Sequence, residues 1–281
     1  MGEPPLADPR PGAGRGFPAA SVARLPDALP CAETGGSALS PTSPTPRLMR
    51  PERFRRLREV LARRQPDLTV LMDRVDKAHN FSAILRSCDA VGALEAHAVA
   101  AEPGLEVHHA TSAGTKKWVS VQRHADVEAA IAHLRGLGFR ILAAHPSPSA
   151  LDYRKADYTR PVAITLGAEL EGVSTKALEL ADAQVMIPMM GMVHSLNVSV
   201  ASALLLFEAQ RQRAAAGMYD ESRLDPEAFA KRLFEWAYPT LARSRLEQSL
   251  PYPALDDDGQ IVSTQTSSRP SWKRSDSSTP S

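Results

Sequence analysis

From residue 68 to residue 213 the chain alternates β-like and α-like stretches, and that alternation constrains the fold more than any other feature. Strands that alternate with helices build a mostly parallel sheet with helices on both faces, so an α/β fold is expected. Short apolar runs predict strands over residues 68–72, 96–101, 118–122, 139–144, 162–166 and 184–187. Helical spacing predicts helices over 82–91, 127–137, 175–181 and 197–213, the first two ended by Gly92 and Gly138. Sheets of this kind bind ligands at the carboxyl ends of their strands. The loops 75–81, 145–152, 167–172 and 188–195 are therefore where chemistry is expected.

The flanks read differently. Residues 1–48 carry many Pro, Gly, Ala and Ser residues without periodicity and are expected to be disordered. Met49 stands immediately before the first periodic segment, which suggests that translation begins there. Residues 49–66 form an arginine-rich helix in which Phe54, Leu57, Val60 and Leu61 share one stripe, Pro51 suits the first turn and Pro66 ends the segment. Between Arg47 and Arg64 lie eight arginines against the acids Glu52 and Glu59. Net charge over the whole chain is only +1, so this is a local concentration. Arg55, Arg56 and Arg63 are candidates for contact with nucleic-acid phosphates, and a solvated helix face is the plainer alternative. The sheet domain is expected to span 67–215, followed by a helical extension over 216–255 that contains Phe229, Leu233, Phe234 and Trp236. From 256 to 281 the chain is acidic, then rich in Ser and Thr, and is expected to be a disordered tail.

Other classes are disfavoured. No apolar run is long enough to span a membrane, and the N-terminus lacks the apolar stretch of a secretory signal. Cys31 and Cys88 make no disulfide framework, which points to a reducing cytoplasm. Neither a dinucleotide-binding glycine fingerprint nor a P-loop occurs, and no Cys/His set has zinc spacing. His108-His109 reads as a surface pair, and Asp256-Asp257-Asp258 as solvated charge.

Three segments remain. In Asp76-Lys77-Ala78-His79-Asn80-Phe81-Ser82, Asn80 or Ser82 suits a helix cap, and Arg86 follows as either a functional or a plain surface arginine. In Leu166-Gly167-Ala168-Glu169-Leu170-Glu171-Gly172, two glycines bracket a turn whose backbone can approach a ligand, and Glu169 leaves the sheet at its carboxyl end. A simple connection capped by Ser174 explains most of the same residues. In Ile187-Pro188-Met189-Met190-Gly191-Met192-Val193-His194-Ser195-Leu196-Asn197, an adaptable methionine surface adjoins the polar start of a long helix. That arrangement suits an adenine ring and its sugar, or a capped core helix at an oligomer interface.

In this order the three segments resemble the signature motifs of the SPOUT class of RNA methyltransferases. The resemblance extends over roughly residues 50–255 and includes Gln65-Pro66-Asp67-Leu68-Thr69-Val70 and Leu206-Phe207-Glu208-Ala209-Gln210-Arg211. It implies a C-terminal trefoil knot, a homodimer and S-adenosyl-L-methionine as methyl donor. Because the departing S-adenosylhomocysteine is neutral, no metal is expected. The resemblance assigns catalytic or site-organising roles to Asn80, Arg86, Glu169, Ser195 and Asn197, and cofactor contacts to Ala144, Leu166, Gly167, Ile187, Met192 and Leu196. The flanking text resembles the branch that acts on tRNA, which implies methylation of the ribose 2′-hydroxyl of guanosine 18 in the D loop. A relative acting on ribosomal RNA and a non-catalytic RNA-binding protein are the rival readings.

Overall fold

A computed structural model of the chain describes residues 49–99 and 117–262. The tail 1–48 with Cys31 and Arg47, the end of the strand expected at 96–101, His108-His109 and residues 263–281 lie outside the described residues. The elements are α1 (Pro51–Ala62), β1 (Leu68–Asp73), α2 (Ala78–Val91), β2 (Glu95–Val99), β3 (Ser120–His124), α3 (Val127–Gly136), β4 (Arg140–Ala144), β5 (Leu151–Asp152), β6 (Val162–Leu166), α4 (Thr175–Leu180), β7 (Ala183–Met186), α5 (Val198–Ala215), α6 (Pro226–Ala237) and α7 (Pro239–Glu247).

The strands form one sheet in the order β3-β2-β1-β6-β4-β7-β5, and every pairing in it is parallel. Period-two alternation sends neighbouring side chains to opposite layers. Val70 and Met72 of β1 join Ile84 and Leu85 of α2 and Leu205 and Leu206 of α5 on one face. Leu71 joins Ile141, Ala163 and the α3 and α4 residues Ile131, Leu134 and Ala177 on the other. All six residues of β1 are buried, as a central parallel strand requires. Each large side chain fully buried in these layers contributes roughly 1.5–3 kcal/mol of transfer free energy. At the β3 edge the rings of His97, His124 and His133 lie 5.2–5.7 Å apart, with His97 Nδ1 3.0 Å from His124 Nε2.

Several boundaries differ from expectation for physical reasons. Helix α2 starts earlier than residue 82, with Lys77 at the N-cap and no side-chain cap. Asn80 therefore lies inside the first turn, and its amide is committed elsewhere. Strand β3 sits later than 118–122 because Trp118 is drawn into an edge-on contact with Trp236, their centroids 5.2 Å apart. The two-residue β5 carries too short a pattern to be read. The C-terminal extension divides into α6 and α7 at Pro239.

A third cluster joins Phe54, Leu57 and Leu61 of α1 to Leu233, Trp236 and Ala237 of α6. One of the eight arginines belongs to this interior. Arg64 is 1% exposed, donates to the Ala93 carbonyl at 3.0 Å, pairs with Asp89, and lies over the Trp236 ring at 5.1 Å. The stretch after 255 is also built in. Leu255 and Ile261 form an antiparallel bridge, and Gln260 Nε2 donates to the Met49 carbonyl at 2.8 Å. Tyr238 Oη donates to the Gly259 carbonyl at 2.7 Å. Gly259 has φ of 79°, and a Cβ there would stand 2.4 Å from Phe54 Cγ, so only glycine fits. The tail expected from 256 thus begins no earlier than 263.

Candidate active site

Three segments far apart in sequence converge at the carboxyl end of the sheet. Asn80 comes from the first turn of α2, Glu169 from the loop after β6, and Asn197 from the N-cap of α5. Asn80 is 1% exposed, and its Nδ2 donates to Glu169 Oε1. Asn197 Nδ2 donates to Asn80 Oδ1 at 3.2 Å and approaches Glu169 Oε1 at 3.5 Å. The other side of the Asn197 amide caps α5, its Oδ1 accepting from Ser199 N at 2.8 Å and Ser199 Oγ at 2.6 Å. One side chain thereby fixes a helix start and the orientation of a buried amide. Lys77 Nζ pairs with Glu169 Oε2, so both carboxylate oxygens have donors.

Sequence reasoning passes over Lys77, and also Arg74. Both lie in the loop between β1 and α2, where nothing in the sequence names a partner many residues away. Arg74 Nη1 reaches Glu171 Oε2 at 2.7 Å across 97 residues of chain. With Asn80, Glu169 and Glu171 these cations line a cavity of about 400 Å³. A larger cavity of about 880 Å³, bordered by Phe54, Phe234 and Tyr252, shares no lining residue with it.

Two of the five motif residues stand apart. Arg86 is exposed on α2, and its side chain has no ion pair or hydrogen bond among the described residues. Six residues of helix carry it about 9 Å along the axis and about 240° round from Asn80. Ser195 is exposed in the loop before α5. Cys88, two residues beyond Arg86, is fully buried, and burial pushes its thiol up to about 12, which leaves it an inert core residue.

The residues expected to hold the cofactor lie at adjoining strand ends. Ala144 closes β4, Leu166 closes β6, Gly167 follows it, and Ile187 follows β7, and these three strands are consecutive in the sheet. Leu166 and Gly167 are buried, Ile187 and Leu196 half-buried, and Met192 is 93% exposed. A Cβ on Gly167 would come within 2.0 Å of the Gly172 carbonyl carbon. The missing side chain there serves closure of the loop itself, between the paired Ala168 and Gly172, before it serves any ligand. Ser174 caps α4, accepting from Ala177 N at 3.3 Å.

Comparison with known proteins follows the same residues. The SpoU rRNA methylase family pattern matches residues 67–207, and the pattern for its C-terminal region matches 211–264. The tRNA (guanosine(18)-2′-O)-methyltransferase of Escherichia coli (strain K12) is 52% identical over 215 residues, covering 76% of this chain and 94% of that protein. The enzyme of the same description from Thermus thermophilus is 55% identical over 184 residues, covering 66% of this chain and 95% of its own length. Among solved structures, the A. aeolicus TrmH/SpoU tRNA modifying enzyme superposes with a TM-score of 0.62 at 43% identity, covering 67% of this chain and 96% of that one.

Proposed function

We propose that this chain, which belongs to the SpoU rRNA methylase family, transfers a methyl group from S-adenosylmethionine to the ribose 2′-hydroxyl of guanosine 18 in tRNA. The observation that carries the proposal is the junction of Asn80, Glu169 and Asn197, one residue from each of three separate motifs. The two bacterial relatives named above, both described as acting on guanosine 18 of tRNA, support the substrate over ribosomal RNA.

The residues present suit the methyl donor. Ala144, Leu166 and Ile187 offer apolar surface at adjoining strand ends, and the exposed Met190, Met192 and Val193 offer an adaptable wall. Bound there, S-adenosylmethionine supplies an electrophilic methyl on a positively charged sulfur. Lys77 and the two asparagines hold Glu169 by its oxygens, which fixes the loop that follows β6 beside the donor residues. Arg86 keeps its donors free, and a protonated guanidinium, with five donors and no acceptor, is a poor base. Its role is to stabilise the developing 2′-oxyanion through charge-assisted hydrogen bonds, which strengthen once RNA displaces water from the exposed helix face. The proton passes to water or an RNA phosphate, and Ser195 orders the loop ahead of α5.

The same reading includes a trefoil knot through the C-terminal part of the sheet domain. It also includes a homodimer, supported by the exposed Val200, Leu204 and Phe207 on one side of α5. The exposed arginines of α1 and its C-cap, Arg55, Arg56 and Arg63 among them, take tRNA phosphates. We infer a cytoplasmic reaction, with tRNA as the partner. No helix among the described residues is long and apolar enough to cross a membrane. The test is incubation with labelled S-adenosylmethionine and either bulk tRNA or ribosomal RNA, followed by mapping of the methylated nucleotide. Label at guanosine 18 of tRNA is expected. Label in ribosomal RNA alone, or none in either, would overturn the assignment.

A further inference from the structure

The loop that carries Glu169 has little apolar packing of its own. Its ends are fixed by the paired Ala168 and Gly172, but Leu170 at its tip is 99% exposed. The position of the tip therefore rests on polar contacts. One set is the Asn80, Asn197 and Lys77 contacts to Glu169 described above. The other comes from the residue pair at the end of β1. Asp73 is 1% exposed, and its Oδ2 accepts from Ser174 N at 2.8 Å, which anchors the exit of the loop. Arg74 Nη1 grips the loop at Glu171, at 2.7 Å, while its Nε lies 3.5 Å from Asp73 Oδ1. Arg74 adopts φ of 59°, a left-handed conformation that a non-glycine residue adopts only at some energetic cost. Arg74 lines the cavity together with Asn80 and Glu169.

We propose that Arg74 and Glu171 form a latch that sets the position of the Glu169 loop, making Arg74 a positioning residue for the methyl transfer. The inference rests on the proposed function, since it deepens the account of that site. Arg74 touches neither of the reacting groups. It limits how far the loop swings, so that the Glu169 carboxylate stays against the Asn80 amide during turnover. The pair is partly solvated, with side-chain exposures of 29% and 67%, so its effect is a modest bias on the loop rather than a large part of the folding energy.

The test uses the full chain carrying Arg74→Gln, Glu171→Gln, both together, or Arg74→Lys. Amide hydrogen exchange over residues 168–172 reads the loop directly, without any substrate. Both single variants are expected to exchange faster there, with exchange in β1 and β6 unchanged. Each should lower kcat by roughly two- to fivefold while KM for both substrates stays near wild type. Because the two residues act as one pair, the double variant should be no slower than either single variant. Arg74→Lys should keep part of the rate, since it keeps the charge and loses the fork. Unchanged exchange in both single variants, or losses that multiply in the double variant, would overturn the latch. A wild-type chain that does not methylate tRNA would overturn the proposed function, and the exchange measurement would still decide the latch.

Discussion

Asn197 illustrates how far a single residue can be read from sequence. The sequence places it at the polar start of a long helix expected over 197–213, and the structure has it just outside that helix, capping α5 through Ser199. Its second attachment, to an amide 117 residues away, leaves no local trace. Asn80 misleads for the complementary reason: an asparagine near a helix start resembles a cap, yet its amide is committed to Glu169. Arg86 is the residue on which the chemistry depends most. If it stabilises the 2′-oxyanion, its contact matters in the transition state and little in either bound substrate. Arg86→Ala is expected to cut the single-turnover rate on the order of a hundredfold, with calorimetric affinity for S-adenosylmethionine unchanged. Arg86→Lys should recover part of that loss. An Arg86→Ala variant that methylates at the normal rate, or that fails because the cofactor no longer binds, would remove the residue from this role.

At the scale of elements, the alternating pattern locates the long, strongly patterned strands and helices because burial imposes their periods. The central strand β6 falls at 162–166 as expected, and α5 is only slightly displaced. What escapes has a physical cause in each case. Strand β5 has two residues, too few for a period, and the turn at 256–260 is acidic and polar although it packs on α1. The arginine helix is legible as an element but not residue by residue. Arg64 falls on the inner side near Leu61 and is buried, whereas Arg50, Arg53, Arg55, Arg56, Arg58 and Arg63 face water. Arg55 and Arg56 stand 3.7 and 3.6 Å from Glu52 and Glu59 on an exposed face, pairs too weak to compete with a phosphate. Replacing Arg55, Arg56 and Arg63 together by Ala should weaken tRNA binding. It should also reduce the slope of log affinity against log salt by about 2–3, one increment per lost phosphate contact. Filter binding at several salt concentrations measures this, and an unchanged slope would return the helix face to simple solvation.

For the whole molecule, the β3 edge of the sheet gathers three histidines, His97 of β2, His124 of β3 and His133 of α3, of which His97 is buried. Burial, and then the neighbouring His124 and His133, lower the His97 pKa from 6.5 to about 4. His124 is lowered by burial and by His133, against an opposing pull from Asp126. A histidine whose folded pKa is depressed stays neutral in the fold while the unfolded chain takes up a proton. Its effect is absent above the unfolded value of 6.5, and stability falls as pH drops from there toward about 4. Asp67, whose burial is outweighed by Arg213 and Arg223, is lowered from 3.8 and therefore acts below this window. Denaturant unfolding at closely spaced pH values should show a steep loss of stability as pH falls from about 6.5 toward about 4. His97→Gln, which cannot titrate, should flatten that loss even if it lowers stability at neutral pH. Equal slopes in the two proteins would mean that the sheet edge opens to water before His97 titrates, and that the acid sensitivity of the fold lies elsewhere.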